Sequence, residues 1–484
     1  MAPGLAVSAR QGKIVDRTWI GPLVASALLV VGTAVWWSTQ SGEGKPKSGG
    51  KAIAEIDRPT VPPIPDEKLL HRSDIASDRA KAPPGAPNVV VVIVNAWRRD
   101  QLSAYGGPPS ATPFLASFAE QGTRFDDVVA AAPWARPSDA ALMTGREPSR
   151  IGMSDTGDGA DRRVLSNSVV TLAEYLTGKG WWSVGVTANF NLNARYGFAQ
   201  GFDVYRDAQL ASFAPASRLN SADQVAIALQ FLDSPPEGSA GRPVFLMLSI
   251  ADAHKPFQIP LTEYEPFAGP EHEVAPYRAA IKRADDAMGA LDVGLRARGL
   301  TEKNTVWVLV GDHGEGLSMP EAHGKQHGRL LYDSAVRVPW LMRGPGVGVG
   351  QVVQGLSAHV DLYPTLLGVV GDWASPADVD GNDWSDLVAN GGKTTRLEAF
   401  TETWYLEANR AAVWTSAEAC QKNWGPRPDD GFRTGCFDRS KDADFRRPRE
   451  NVPLMGRLEV WRSEVLAEAA TFRETVAGTD VDEE

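Results

Sequence analysis

Residues 88–106 read N-V-V-V-V-I-V-N-A-W-R-R-D-Q-L-S-A-Y-G. Val89–Val94 is an unbroken β-branched run, bounded by Pro87 and the polar Asn95. Such a run reads as a strand buried on both faces, as in a parallel sheet covered by helices. In an open parallel sheet, ligands bind outside the carboxyl ends of the strands. A carboxylate at that end would be able to hold a metal. This chain offers the amide of Asn95 and the methyl of Ala96 instead.

Downstream, strand-like and helix-like segments alternate. Thr112-Pro113 is expected to cap and open a helix over F-L-A-S-F-A-E-Q that Gly122 stops. Pro137 is expected to start a second helix, ended by Gly145. Then come a helix at 171–177, a strand at 182–188, a helix at 222–232, a strand at 244–250, a long helix from about Pro276 to Arg298 and a strand at 305–310. On the long helix Ile281, Met288, Leu291 and Leu295 form one apolar stripe. The alternation predicts an α/β fold: a mostly parallel central sheet flanked by helices on both faces. Beyond residue 390 short polar-aromatic segments predict a smaller C-terminal α+β subdomain.

Residues 18–42 carry no charge, and Arg10, Lys13 and Arg17 precede them. An apolar stretch of about 19 residues nearly spans a bilayer core as a helix. Trp19, Trp36 and Trp37 stand at its ends, where an aromatic belt places them. The expectation is a single uncleaved anchor, with the N-terminus cytoplasmic and the globular domain extracytoplasmic (periplasmic or extracellular). A signal peptide cleaved near G-T-A (32–34) is the alternative. Residues 41–86, rich in Pro, Gly, Ser, Lys and Asp, read as a flexible linker. The expected organisation is therefore 1–40 stub and anchor, 41–86 linker, 87–390 α/β domain and 391–484 C-terminal subdomain and tail. Net charge is −11, with no concentrated basic patch, which argues against a nucleic-acid partner. The two cysteines, Cys420 and Cys436, are expected to pair in an oxidising compartment, closing a loop worth about 3 kcal/mol.

Several motifs converge at the predicted strand ends: N-A-W-R-R-D, A-D-A-H-K-P-F (251–257) and G-D-H-G-E (311–315). P-W-A-R-P-S-D-A-A-L-M-T-G (133–145) joins them as a loop-to-helix junction, whose N–H groups suit an anionic ester. Asp312 and His313 are reasonable metal ligands. A lone His-Asp pair is more often a surface turn, but co-location at several strand ends favours a site. Trp97, Trp134, Trp181 and Trp182 read as packing rather than a sugar-stacking platform, and Arg98 and Arg99 as a solvated face, with a grip on an anion as the alternative.

In these motifs the chain resembles the sulfatase family of the alkaline-phosphatase-like superfamily, over most of residues 87 to about 450. P-N-V-V-V-V-I-V-N is similar to the family's first strand, and T-P-F-L-A-S-F-A-E-Q-G-T-R-F to its first helix. R-P-S-D-A-A-L-M-T-G-R-E-P is similar to the segment carrying the nucleophile, and A-D-A-H-K-P-F to a D-P-H-x-P-Y segment whose histidine faces substrate. G-D-H-G-E-G-L is similar to the second metal-binding strand end, and H-G-R-L-L-Y-D-S-A-V-R-V-P-W-L-M-R-G-P-G (327–346) to a stretch bearing a substrate-contacting basic residue. The resemblance implies metal ligation at Asn95, Asp312 and His313 and catalytic positions at Ala135, His254 and His327; beside them, Asn189 and Lys255 are candidate substrate contacts, with His323 and Lys325 weaker ones.

The departures matter most. The family's strand-end aspartates align with Asn95 and Ala96, its nucleophile with the methyl of Ala135, and an arginine of the nucleophile motif with Asp139. Hard cations want several anionic oxygen ligands, so any site for Ca, Mg, Mn or Zn is weakened. A methyl group cannot attack sulfur or phosphorus. The expectation is a catalytically impaired protein that binds a sulfated or phosphorylated ligand or a protein partner. The alternatives are a divergent hydrolase using a metal-activated water or Ser138 as a substitute nucleophile, and a purely structural scaffold with an empty pocket.

Overall fold

The computed structural model describes residues 70–479, except 154–163, 209–218, 256, 258, 260, 265–273, 318–326, 372–375, 377, 406–407, 427–430 and 444. The expected anchor at 18–42, His323 and Lys325 lie outside the described residues. Among the described residues, no helix is long and apolar enough to cross a membrane.

A ten-stranded sheet forms the framework. Its strands are β1 (Leu70–Arg72), β2 (Asn88–Val94), β3 (Thr123–Val129), β4 (Trp182–Thr187) and β5 (Val204–Arg206), followed by β6 (Val244–Ile250), β7 (Thr305–Gly311), β8 (Arg337–Arg343), β9 (Gln351–Ala358) and β10 (Gly392–Lys393). The spatial order is β1-β5-β4-β6-β2-β7-β8-β3-β9-β10. Only β1 and β8 run against the others, so the sheet is mostly parallel. β1 falls within the stretch read from sequence as a linker, and it pairs antiparallel with β5.

The valine run forms the centre. β2 pairs in parallel with β6 on one side and β7 on the other. Val89, Val91 and Ile93 enter one core, with residues of the Ala135–Thr144, Leu172–Gly178 and Leu362–Gly371 helices. Val90, Val92 and Val94 enter a second core, against the Pro113–Glu120, Ser221–Asp233 and Ala275–Arg296 helices. Alternation along one strand thus feeds two cores, which is why every residue of the run is apolar. Ile281, Met288, Leu291 and Leu295 all lie in the second core, as the stripe predicts.

Two local expectations need correcting. Thr112 does not cap the Pro113–Glu120 helix: its hydroxyl accepts the Ser103 N–H at 2.9 Å. Asp285 of the long helix takes the cap role, accepting the N–H groups of Phe114 at 2.8 Å and Leu115 at 2.9 Å. The second helix begins at Ala135, ahead of Pro137.

The C-terminal part is a four-stranded antiparallel sheet of β11 (Ala399–Thr403), β12 (Arg410–Trp414), β13 (Glu418–Asn423) and β14 (Gly435–Asp438). Leu454, Leu458, Trp461 and Val465 of the Val452–Thr479 helix cover it. Cys420 and Cys436 face each other across β13 and β14 and are disulfide-bonded.

Asp285 joins two helices by hydrogen bonds that no solvent can replace, since it is fully buried. Asp285→Ala should lower the unfolding free energy by about 2 kcal/mol, read as a fall in the urea midpoint.

Candidate functional site

Four neighbouring strands, β4, β6, β2 and β7, bring their carboxyl ends to one edge of the sheet. Asn95 and Ala96 follow β2, Asp312 and His313 follow β7, and His254 lies just beyond β6. Asp312 is the hub. Its Oδ1 accepts the backbone N–H groups of Ala96 at 2.9 Å and His313 at 2.7 Å. Its Oδ2 accepts the Asn95 side-chain amide at 3.0 Å. Its backbone carbonyl accepts the Ser138 hydroxyl at 2.5 Å, which docks the Ala135–Thr144 helix onto the β7 end.

The backbone at this edge is tightly constrained. Ala96 has φ 58°, a left-handed conformation that Asn and Asp tolerate better than Ala. Gly314 is obligatory, because a Cβ there would lie 1.9 Å from the Ser334 carbonyl oxygen.

Three imidazoles gather beside the hub. The ring centroid of His327 lies 4.4 Å from that of His313 and 4.6 Å from that of His254. Hydrogen bonds orient each through Nδ1: His313 to the Gly314 carbonyl at 2.7 Å, His254 to the Lys255 carbonyl at 2.5 Å, and His327 to Glu315 Oε2 at 3.1 Å. Burial, with His327 nearby, drives His313 well below the usual histidine range, so its ring is neutral. With Nδ1–H donated to Gly314, its Nε2 is an acceptor. It faces Asp312 Oδ2 at 3.4 Å and has no hydrogen-bond partner. Two acceptors facing each other suit a shared proton or a cation.

The fit to a divalent metal rests on those atoms. Asp312 Oδ2 and His313 Nε2 are spaced as co-ligands, and the Asn95 side chain completes a set carrying a single carboxylate. Asn95 presents its amide nitrogen to Asp312 and leaves Oδ1 buried without a donor. Among the described residues, no three His, Cys, Asp or Glu side chains are arranged to hold a metal ion. The three sequence-predicted ligands are together, but as a low-charge set of the kind that binds hard cations weakly.

The other predicted positions are resolved case by case. Ala135 is the first residue of its helix and is buried. Ser138 is fully buried, its hydroxyl donating to the Asp312 carbonyl, with the acceptor Nδ1 of His359 3.0 Å away. It is therefore a structural link. Asn189 spends its side-chain oxygen on the Asn191 N–H at 2.9 Å. The Lys255 ammonium lies within electrostatic reach of Glu315. Trp97, Trp134, Trp181 and Trp182 are buried, as packing residues should be. Arg98 and Arg99, expected on a solvated face, are instead half-buried and ion-paired with Asp100 and Asp126.

Sequence reading missed Glu315 and His359, and noted Asp139 only as a departure from the motif. Glu315 orients His327, and only its place in G-D-H-G-E hinted at it. Asp139 is fully buried with neither carboxyl oxygen hydrogen-bonded; burial, then Asp312 nearby, pushes its carboxyl well above the usual range. His359, just past β9, donates Nε2–H to the Gly311 carbonyl at 2.9 Å and accepts the Ala131 N–H at Nδ1. A histidine immediately after a strand was the available signal.

Comparison with known proteins agrees with this geometry. The Sulfatase family model matches residues 87–372. Arylsulfatase A of Bos taurus is 30% identical over 378 residues, covering 69% of this chain and 74% of that protein. N-acetylgalactosamine-6-sulfatase of Canis lupus familiaris is 26% identical over 380 residues, covering 68% and 71%. Among solved structures, a 2-O GAG sulfatase superposes with a TM-score of 0.61 at 18% identity, over 80% of this chain and 92% of that one. The phosphonate monoester hydrolase of Agrobacterium radiobacter gives 0.62 at 18% identity, over 80% and 96%.

Burial depresses the His359 imidazole to about 3. Its folded value lies below the ordinary one of about 6.5, so its contribution is complete above that pH and is lost as pH falls toward 3. Across that window His359 should cost the fold about 1.4 kcal/mol per pH unit. His359→Gln should flatten the fall by that amount, measured by urea unfolding at a series of pH values.

Proposed function

We propose, from the premise that this chain belongs to the sulfatase family, that it has lost the family's hydrolytic chemistry and keeps a cleft for a sulfated or phosphorylated ligand. The reading includes an extracytoplasmic domain on an N-terminal membrane anchor, which rests on the residues around 10–42 alone.

One observation carries the proposal. At the start of the helix that meets the hub, where the resemblance aligns the nucleophile, stands the buried methyl of Ala135. The hydroxyl in the same turn, Ser138, donates its proton to a backbone carbonyl and lies beside the His359 imidazole. No nucleophile is offered at the helix start, and removing a nucleophile costs about 10⁶-fold in a well-studied hydrolase.

Sulfatases generally use a divalent metal. Asn95, Asp312 and His313 are the residues that would hold one here, and when bound it would stabilise negative charge on an ester oxygen. The rest of the cleft is binding chemistry. His254 and His327 are fixed in orientation by Lys255 and Glu315, and the Lys255 ammonium supplies positive charge for an anionic ligand.

A second reading, a metal-dependent ester hydrolase that activates water, draws on the Asp312–His313 acceptor pair. Turnover assays separate the two. The purified full chain should hydrolyse neither aryl sulfates nor aryl phosphates above background, with or without Ca, Mg, Mn or Zn. Turnover that Asp312→Ala abolishes would establish the hydrolase instead.

Reconstruction tests the alignment itself. The double variant Asn95→Asp with Ala135→Thr should bind a divalent metal at least about tenfold more tightly than the native chain, by calorimetric titration, because a charged ligand returns. Unchanged metal affinity would mean that the β2 end is not the lost ligand position.

A further inference from the structure

A cavity of about 200 Å³ lies on the same edge of the sheet, lined by Arg98, Arg99, Arg337, Asp100 and Asp333 among others. Arg98 and Arg99 follow β2, and Arg337 begins β8 where that strand meets the end of β3. The Glu315 segment borders both regions: its side chain holds His327 at 3.1 Å, and its carbonyl accepts Arg98 Nη1 at 3.3 Å.

The guanidinium groups here are not equally satisfied. Arg98 makes a two-point contact with Asp100, at 2.9 and 2.7 Å. Arg337 is held by Asp127 at 3.0 Å and Asp333 at 2.8 Å. Arg99 has only a 3.4 Å contact with Asp126, a carboxylate about half exposed and shared with Arg124 at 3.8 Å. Its Nε is buried without an acceptor, and its guanidinium lies over the Tyr105 ring, 4.8 Å from the centroid. Burial and the adjacent Arg337 cation hold Arg99 below the usual arginine range, as expected of an under-compensated charge. Among the described residues, five guanidiniums (Arg98, Arg99, Arg124, Arg337, Arg439) pair with four carboxylates (Asp100, Asp126, Asp127, Asp333). Asp333 keeps one oxygen, Oδ1, buried and unpartnered.

We propose that this cavity is an oxyanion subsite for an acidic sugar, in which Arg99 takes a sulfate or carboxylate group and Asp333 Oδ1 accepts a neighbouring hydroxyl. A rigid, unsaturated guanidinium matches an oxyanion, and an acceptor beside it matches the hydroxyls that such a sugar carries. The inference rests on the cleft's being a site for anionic ligands, and extends it to a separate pocket with its own contacts.

The test uses the full chain and three probes in ligand-observed NMR titrations: galactose 6-sulfate, glucuronate and galactose. The two acids should bind measurably tighter than galactose, and the stronger of the two identifies the group as sulfate or carboxylate. Arg99→Ala should weaken binding of the preferred acid about tenfold or more, the loss of one charge-assisted contact. Arg99→Lys should recover part of it. Ala443 also lines the cavity and is exposed, so Ala443→Trp should fill the cavity and abolish binding without disturbing the fold, with melting temperature as the control. Equal binding of galactose and both acids, or unchanged affinity in Arg99→Ala and Ala443→Trp, would overturn the subsite. Loss of acid binding in His327→Ala but in neither of those variants would uphold the cleft and discard the subsite.

Discussion

The site is organised by the buried carboxylate of Asp312. Burying a charge costs several kcal/mol unless it is met by donors; three N–H groups meet this one, and burial still pushes its carboxyl up to about 8. Two come from backbone at the ends of β2 and β7, and one from the Asn95 side chain. The same residue's carbonyl receives Ser138 and so fixes the start of the Ala135–Thr144 helix. The resemblance would have a divalent cation share this carboxylate with strand-end aspartates. Asn95 offers a neutral donor in the same direction, which keeps the geometry while removing ligand charge.

The framework therefore does not depend on the residues that the resemblance aligns with catalysis. The hub depends on backbone N–H groups, on a glycine that no larger residue can replace at 314, and on a serine buried in a helix's first turns. None of these needs a nucleophile or a metal. Even the left-handed turn at Ala96 is kept, although alanine is a poor occupant of it by roughly 1–2 kcal/mol. The backbone there has the shape an aspartate would tolerate, and the side chain that would use that shape is absent.

What the sequence revealed follows from distance along the chain. The β2 run was readable because burial on both faces leaves only apolar residues, and Asp312–His313 because the ligands are adjacent. Arg98 and Arg99 looked like a solvated pair, since Asp126 and Asp333, which stand near them, arrive from β3 and from the turn before β8. His359 was invisible for the same reason: its bond to the Ala131 N–H spans 228 residues and exists only because β9 lies beside β3. Thr112 misled because its hydroxyl found a closer partner in Ser103, while the cap came from Asp285, 171 residues away from Phe114.

Charge finally distinguishes the parts of the site. The resemblance places an arginine where Asp139 stands, and an arginine there would draw an anionic ester toward the helix start. Asp139 instead lies fully buried with no hydrogen-bond donor, within electrostatic reach of Asp312, and burial favours its neutral form. Protonated, it attracts no anion; ionised, it would repel one. The helix start therefore presents the Ala135 methyl and the Asp139 carboxyl where the resemblance aligns a nucleophile and an arginine, while Arg136 stays beside them. Under the reading proposed above, an anionic ligand would be drawn to Lys255 and to the guanidinium groups beyond Glu315 rather than to Asp139.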